Sequence, residues 1–453
     1  MTVTDTPVTG ATPGDLPRHG IPADYVAAHL RAQDAGMFHG IRDARDKDVR
    51  MSLRVGRVPM PELAPDEVLV AVMASSVNYN TVWSAMFEPI PTFRFLEQFA
   101  RQGGWATRHA LPYQVVGSDG SGVIVKVGSG VRRWQAGDHV VISPAYVDDQ
   151  EPGTHDDGML GAEQRAWGFE TNFGGLAEYA VARASQLIAK PAHLTWEEAA
   201  CNPLCAGTAY RMLVGDHGAR MKQGDVVLIW GAAGGLGGYA IQFVRNGGGI
   251  AVGLVSSPDK AEAIRRLGCD VIIDRSELGL VPASADDPEA VLKAGRRLGA
   301  IIREQAGRDP RIVFDHVGRS TFGMSTFVAA RGGTVVTCGS STGYQHVFDN
   351  RYLWMKLKKI VGSHVANLSE QWEASRLFAA GRIASTISAT YPLADAAEAV
   401  RLVQLNGHVG KVAVLCQAPR PGLGVTDPEL RARLGEDKLH PLIKTTPAAG
   451  SPQ

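Results

Sequence analysis

The segment Val226-Val-Leu-Ile-Trp-Gly-Ala-Ala-Gly-Gly-Leu-Gly-Gly238 leads an apolar strand into a glycine turn and straight on to a helix start. Small residues at such a turn let backbone approach a pyrophosphate, whose charge then meets free N–H groups at the helix's positive end. The spacing is Ala232-x-Gly234-x-x-Gly237, with alanine in the first place and Gly235 and Leu236 inside the turn. A purely structural turn would share the glycines. The strand before, the helix after and a second strand on schedule favour dinucleotide binding. An NAD site usually carries an acid about 20 residues on, for the ribose 2′-hydroxyl. Here Ser256 and Ser257 hold that place, with Lys260, Arg265 and Arg266 close by. Hydroxyls and cations suit a 2′-phosphate, so NADPH is the expected cofactor. Asp259, after Pro258, reads as an early helix residue, and Arg265 and Arg266 read equally well as a solvated helix face.

The elements that must position this turn follow from periodicity. From Asp225 onward, strands at Val226–Trp230, Ile250–Val255, Val271–Ile273, Arg311–Phe314, Thr334–Cys338 and Ile360–Ser363 alternate with helical segments near 235–245 and 259–267. That alternation predicts an α/β fold with a doubly wound parallel sheet. Pro288–Ala306 has helical spacing and reads as a surface helix or helical pair. Before residue 200 the chain reads as many-stranded β structure, with Glu67–Met73 a buried strand, 76–83 a polar loop and another β pattern over 113–127. Thr195-Trp-Glu-Glu-Ala-Ala200 has the cap and early acids of a helix start. The first forty-odd residues read as a loosely ordered arm; after Asn350 the chain is expected to return to the first unit, and the tail from Gln417 to wrap a surface.

Composition sets outer bounds. Forty-six basic residues balance 46 acidic ones over 453 residues, which gives no electrostatic footprint for nucleic acid or an anionic membrane. Five cysteines without a C-x-x-C pair argue against a disulfide framework and for a reducing compartment; Cys201 and Cys205 read as packing residues. Met1 to Gly20 lacks the pattern of a signal peptide or anchor, and no run approaches 18 apolar residues. The expected compartment is the cytoplasm.

A β-rich unit ahead of such a nucleotide unit resembles the medium-chain dehydrogenase/reductases. The resemblance implies a GroES-like catalytic domain and a Rossmann domain. The expected division is an arm over 1–45, the catalytic domain over 46–210, the nucleotide domain over 211–363, and a return with the tail over 364–453. The zinc branch reads Gly-His-Glu where this chain reads Gly117-Ser-Asp119, and no clustered cysteines supply a structural zinc lobe, so no metal is expected. Without that Lewis acid, reduction of a conjugated C=C beside a thioester carbonyl is the better candidate.

Longer stretches narrow the likeness. Arg45-Asp-Lys-Asp48, Ala74-Ser-Ser-Val-Asn-Tyr-Asn-Thr-Val-Trp83, Trp167-Gly-Phe-Glu-Thr-Asn-Phe-Gly-Gly175, Leu194-Thr-Trp-Glu-Glu-Ala199, Asp349-Asn-Arg-Tyr-Leu-Trp-Met355 and Gly362-Ser-His364 resemble the crotonyl-CoA carboxylase/reductases and their enoyl-CoA relatives. The likeness runs from about residue 40 to 430. It implies hydride delivery from NADPH to an enoyl-CoA β-carbon, and attack of the resulting enolate on CO2 in a pocket that excludes proton donors. By the same resemblance, Asn80 would donate to a CO2 oxygen and Phe169 would supply a proton-free wall. Glu170 and His364 would fix a water, or each other, near the second oxygen. Taken singly, Asn80 is equally a turn asparagine, Phe169 plain core, and Glu170 with His364 a structural ion pair. Arg351 and Tyr352 stand at the family's CoA contacts, and a homotetramer is implied.

Two departures stand out. Val365 follows the histidine where relatives acting on crotonyl-CoA commonly carry phenylalanine, which predicts room for a medium-chain or branched acyl group, as polyketide extender units need. Gln150 stands where relatives can carry a glutamate that couples subunits. The alternatives are a reductase that protonates the enolate, a quinone reductase, and a non-catalytic NADPH-binding protein.

Overall fold

The computed structural model describes residues 20–279 and 285–442. The reading of 1–19 as free of a signal or anchor lies outside them. Three sheets build the core. Asp24–Arg31 lies between Arg54–Pro59 and Tyr113–Val115 in a small antiparallel sheet. A seven-stranded sheet centres on Glu67–Ser76, every residue of which is buried. Its neighbours include Ser121–Val127, Tyr179–Arg183 and, from far along the chain, Lys411–Leu415.

The third sheet is parallel and runs Val271–Asp274, Ile250–Val255, Val226–Ile229, Ile312–Phe314, Thr334–Thr337, Lys359–Gly362. Strand order therefore reverses between Val226–Ile229 and Ile312–Phe314, and ligands bind at such a switch point, beyond the strands' carboxyl ends. Continuous apolar runs buried on both faces made the central strands Ile250–Val255, Val226–Ile229, Ile312–Phe314 and Thr334–Thr337 legible. Pro288–Ala306 forms one 19-residue helix, capped by Asp287 and closed by Gly307 at φ 78°, with Leu298 and Ile302 in the core.

The structure corrects four local readings. Residues 24–31 are a paired strand, not a loose arm; Ala27, Ala28 and His29 masked its β character, but sheet packing buries it. The 76–83 loop is mostly the helix Tyr79–Met86, held because Val82, Ala85 and Met86 are buried. The β pattern over 113–127 breaks at 116–120, a loop between Tyr113–Val115 and Ser121–Val127. The return to the first unit comes after Gly362, since Lys359–Gly362 is still the parallel sheet's edge strand.

The tail wraps as expected. Trp196 N–H donates to Leu423 O at 2.8 Å, and Gly422 N–H donates to Glu197 Oε1 at 2.7 Å. Arg431 and His440 then close on the fully buried Glu198 at 2.8 and 2.7 Å. Thr195 caps Trp196–Ala200 as the sequence suggested, and Glu198 reaches back to make the cap reciprocal. No helix among the described residues is long and apolar enough to cross a membrane.

Candidate active site

The glycine turn follows Val226–Ile229 as read. Gly231 has φ 61°, Gly234 is the N-cap, and the helix Gly235–Asn246 begins at once. A Cβ on Gly237 would overlap the Gly231 carbonyl, so only glycine allows this turn to close on its helix. Ala232 is buried against Gly253, which explains how alanine serves in the first place. Leu236 packs its side chain on the core below the turn. The first unit clasps the turn from outside: Gly410 N–H donates to Ala233 O at 2.7 Å, and Lys411 Cδ would lie 2.6 Å from a Cβ on Gly235. His316 Nε2 is buried without a partner and points at Gly231. A helix N-terminus, a cradle that admits no Cβ and an orphaned donor or acceptor together fit a dinucleotide phosphate.

Ser256 is exposed at the end of the second strand. Ser257 caps the next helix, accepting from Lys260 N–H at 3.4 Å. Lys260 Nζ donates to Asn406 O and Oδ1 at 3.2 and 3.1 Å. Burial lowers its pKa, and Arg275 lowers it further, so two cations converge here. Arg275 was missed in the sequence; it starts the turn after the third strand, one strand away from the serines. Arg265 and Arg266 both pair with Glu262 one turn back, which makes them a solvated helix face.

The four candidate catalytic residues come from three segments. Asn80 lies in the first turn of Tyr79–Met86 and donates from Nδ2 to Ser118 Oγ at 2.8 Å; its Oδ1 is buried and unpartnered. Ser118 belongs to the glycine loop, and that loop touches the next one: a Cβ on Gly168 would overlap Gly117 O. Phe169 and Glu170 follow Gly168. Gln114 Nε2 donates to Phe169 O at 2.8 Å, and the ring leans on Phe95 at 5.9 Å. Glu170 Oε2 accepts from Ala166 N–H at 2.7 Å. His364 follows the last parallel strand and lies within the field of Glu170. Crowding by protein lowers the His364 pKa, Glu170 opposes that shift, and Arg211 adds to it. His364 is nonetheless solvent-accessible. The structure thus links Asn80 to Ser118 by a hydrogen bond and the Ser118 loop to the loop of Phe169 and Glu170 by backbone approach, with His364 within the electrostatic reach of Glu170.

Val365 is buried beside Ala145, Val147 and Met159, with φ 51°. Arg351 and Tyr352 lie elsewhere, on the short helix Asn350–Trp354. Arg351 is exposed and paired with Asp349 at 2.6 Å, and Tyr352 meets the Phe327 ring edge-on at 4.7 Å. Gln150 sits in an exposed turn, its N–H donating to Asp148 Oδ1. Among the described residues no three His, Cys, Asp or Glu side chains are grouped as metal ligands would be.

Two buried ionic groups escaped the sequence reading. Asp119 accepts from Ser76 Oγ, Asn78 Nδ2, Leu204 N–H and Lys411 Nζ at 2.5, 2.7, 2.8 and 3.1 Å. Arg211 joins Asp157 at 2.6 Å and Glu370 at 2.8 Å. Asp119 stood in plain view in Gly117-Ser-Asp119, but its lysine is 292 residues away and no local pattern announces it.

Residues 64–192 match the family described as the alcohol dehydrogenase GroES-like domain, and residues 235–380 match the family described as zinc-binding dehydrogenase. The chain is 52% identical over 427 residues to a crotonyl-CoA reductase of Streptomyces collinus, covering 93% of this chain and 94% of that one. It is 39% identical over 392 residues to a crotonyl-CoA carboxylase/reductase of Cereibacter sphaeroides, covering 84% and 88%. A solved 2-octenoyl-CoA carboxylase reductase, in complex with NADP and 2-octenoyl-CoA, superposes with a TM-score of 0.92 at 70% identity, covering 94% and 95%. With relatives aligned along almost its whole length, this chain belongs to the crotonyl-CoA carboxylase/reductase family of medium-chain dehydrogenase/reductases.

Proposed function

We propose that the chain catalyses the NADPH-dependent reductive carboxylation of a medium-chain 2-enoyl-CoA to an alkylmalonyl-CoA. NADPH supplies a hydride to the β-carbon. The α-carbon, now an enolate, forms its new C–C bond to CO2, and the products are the malonyl thioester carboxylate and NADP+. What the protein must do is win a race, because the enolate takes a proton wherever one is offered.

The observation that carries this reading is the link from Asn80 through Ser118 and the Gly117–Gly168 backbone approach to Phe169 and Glu170, with His364 within the electrostatic reach of Glu170. One amide hydrogen of Asn80 is committed to Ser118, which fixes the other's direction toward a CO2 oxygen. Phe169 carries no acidic proton. His364, its pKa held below the ordinary histidine value, is neutral at neutral pH and a weak proton donor. Lys260 and Arg275 answer the 2′-phosphate of NADPH, with Ser256 and Ser257 beside them.

The small residues around Val365 favour a medium-chain acyl group, as in the relative solved with 2-octenoyl-CoA. Arg351 and Tyr352 are assigned to the CoA end, a guanidinium for phosphate and a ring for adenine. The edge strand Lys359–Gly362 and the exposed Trp354, Met355, Leu357 and Ile360 beside it support a homo-oligomer, which we assign as a tetramer. Five free thiols support a cytoplasmic setting.

The test is mass spectrometry of products from crotonyl-CoA and 2-octenoyl-CoA with NADPH and 13C-bicarbonate. The expected product of 2-octenoyl-CoA is heavier by one labelled carboxyl group. NADPH oxidation that yields only the saturated thioester would overturn the carboxylation.

A further inference from the structure

Val365 is β-branched yet sits at φ 51°, in the left-handed region that such residues avoid. A conformation of that kind persists only where its surroundings impose it. Two places on, Asn367 is anchored on both sides. Asn367 Nδ2 donates to Asp157 Oδ1 at 3.1 Å, while its own Oδ1 caps the helix Leu368–Ala379 by accepting from Glu370 N–H. Asp157 is buried, and it gathers more than this bond. Its Oδ1 also accepts from Met159 N–H at 3.0 Å and Arg211 at 3.2 Å, and its Oδ2 accepts from Arg211 at 2.6 Å. His217 Nε2 stands 3.6 Å from Oδ2, and Glu370 faces the same arginine at 2.8 Å. Both residues reached through Asp157, Met159 directly and Val365 through Asn367, pack together in one small apolar group with Ala145 and Val147. Arg211 is also the cation felt by His364.

We propose that Asp157 is a positioning residue for acyl-chain selectivity: by its bonds to Met159, Arg211 and Asn367 it holds Met159 and the strained Val365 packed as a fixed end wall of the acyl pocket. The claim rests on Val365 lining that pocket. A single carboxylate joins the 157–160 loop, the helix Pro203–Leu213 and the segment after His364, so the wall cannot yield at one place alone. The ligand so measured is the hydrocarbon chain of the enoyl thioester, where each methylene in a fitted apolar pocket is worth about 1–3 kcal/mol, or about 10–200-fold.

The test uses the full-length enzyme and the ratio of kcat/KM for 2-octenoyl-CoA to that for crotonyl-CoA, read by NADPH oxidation. Asn367→Ser keeps a competent helix cap and deletes only the bond to Asp157. Asp157→Asn removes the charge at constant shape, and Val365→Ala probes the wall itself. The expected result is a shift of the ratio by about tenfold in Asn367→Ser and Asp157→Asn, carried by KM, with kcat on the better substrate within about twofold of wild type in Asn367→Ser. Should Asp157→Asn fail to fold, Asn367→Ser decides alone. An unchanged ratio in the folded variants, with only a lower Tm, makes the cluster merely structural and overturns the proposal. If Val365→Ala is silent as well, the pocket reading falls with it. Because the ratio is read from NADPH oxidation, it stands whether or not labelled carbon enters the product.

Discussion

Lys411→Met is the perturbation whose effect the structure sizes most directly. Lys411 is 2% exposed and Asp119 0%, so neither charge has recourse to solvent. Lys411 Nζ donates to Val77 O, Asn78 Oδ1 and Asp119 Oδ2 at 2.9, 2.5 and 3.1 Å. Removing the ammonium leaves a buried carboxylate without a countercharge, a loss of about 3–5 kcal/mol in comparable sites. Three donors to Asp119 survive, from Ser76, Asn78 and Leu204, which places the expected loss near the lower end, about 3 kcal/mol. Asp119→Asn should restore much of it when combined with Lys411→Met, with a coupling of about 2 kcal/mol in a double-mutant cycle. The assay is urea unfolding followed by tryptophan fluorescence at one fixed protein concentration. Asp119 also orients Asn78, the residue before the helix that carries Asn80, so the carboxylated share of product should fall in the single variant. A loss below about 1 kcal/mol, or strict additivity of the two changes, would refute the reasoning.

Three further outcomes are expected. Lys260→Met should raise KM for NADPH by about tenfold or more while leaving NADH turnover nearly unchanged, because it removes one charged partner of the 2′-phosphate; equal losses with both cofactors would place the phosphate elsewhere. His109 is buried and burial holds its pKa down to about 3, with Arg108, Arg183 and Arg165 adding to the effect. Its stabilising contribution is therefore whole above about pH 6.5 and is lost as pH falls from there toward 3, by about 2 kcal/mol at pH 5; urea midpoints for wild type and His109→Asn should converge as pH drops, and parallel curves would contradict this. Val365→Phe should fill the group formed by Ala145, Val147 and Met159 and lower kcat/KM for 2-octenoyl-CoA far more than for crotonyl-CoA; a uniform loss on both would put the acyl chain elsewhere.

The central strands of the parallel sheet were readable because strands buried on both faces have no polar alternation to obscure them, and because Gly237 leaves no room for a side chain against the Gly231 carbonyl. Asp24–Arg31 and Tyr79–Met86 were misread for the opposite reason: their local sequences are indifferent, and distant packing decides them. Asn80, Phe169, Glu170 and His364 carried no individual signal, and only the long motifs around them drew notice. The approach of the glycine loops before Ser118 and Phe169 has no sequence period to announce it. Arg275 marks a further limit, since neighbours across a sheet are invisible to spacing. The pairing of Arg265 and Arg266 with Glu262 was, by contrast, legible at three and four residues' separation.

The strap that runs from Gly422 to His440 is an internal part of the fold rather than an appendage. Gly424, at φ 96°, lies flat on the indole of Trp196, and Arg431 with His440 supplies the countercharge for Glu198. A chain cut after Leu415 would keep every residue assigned to chemistry and still bare a tryptophan face and strand a carboxylate in the interior. For an engineer trimming or fusing this enzyme, that strap is a keystone to be left in place.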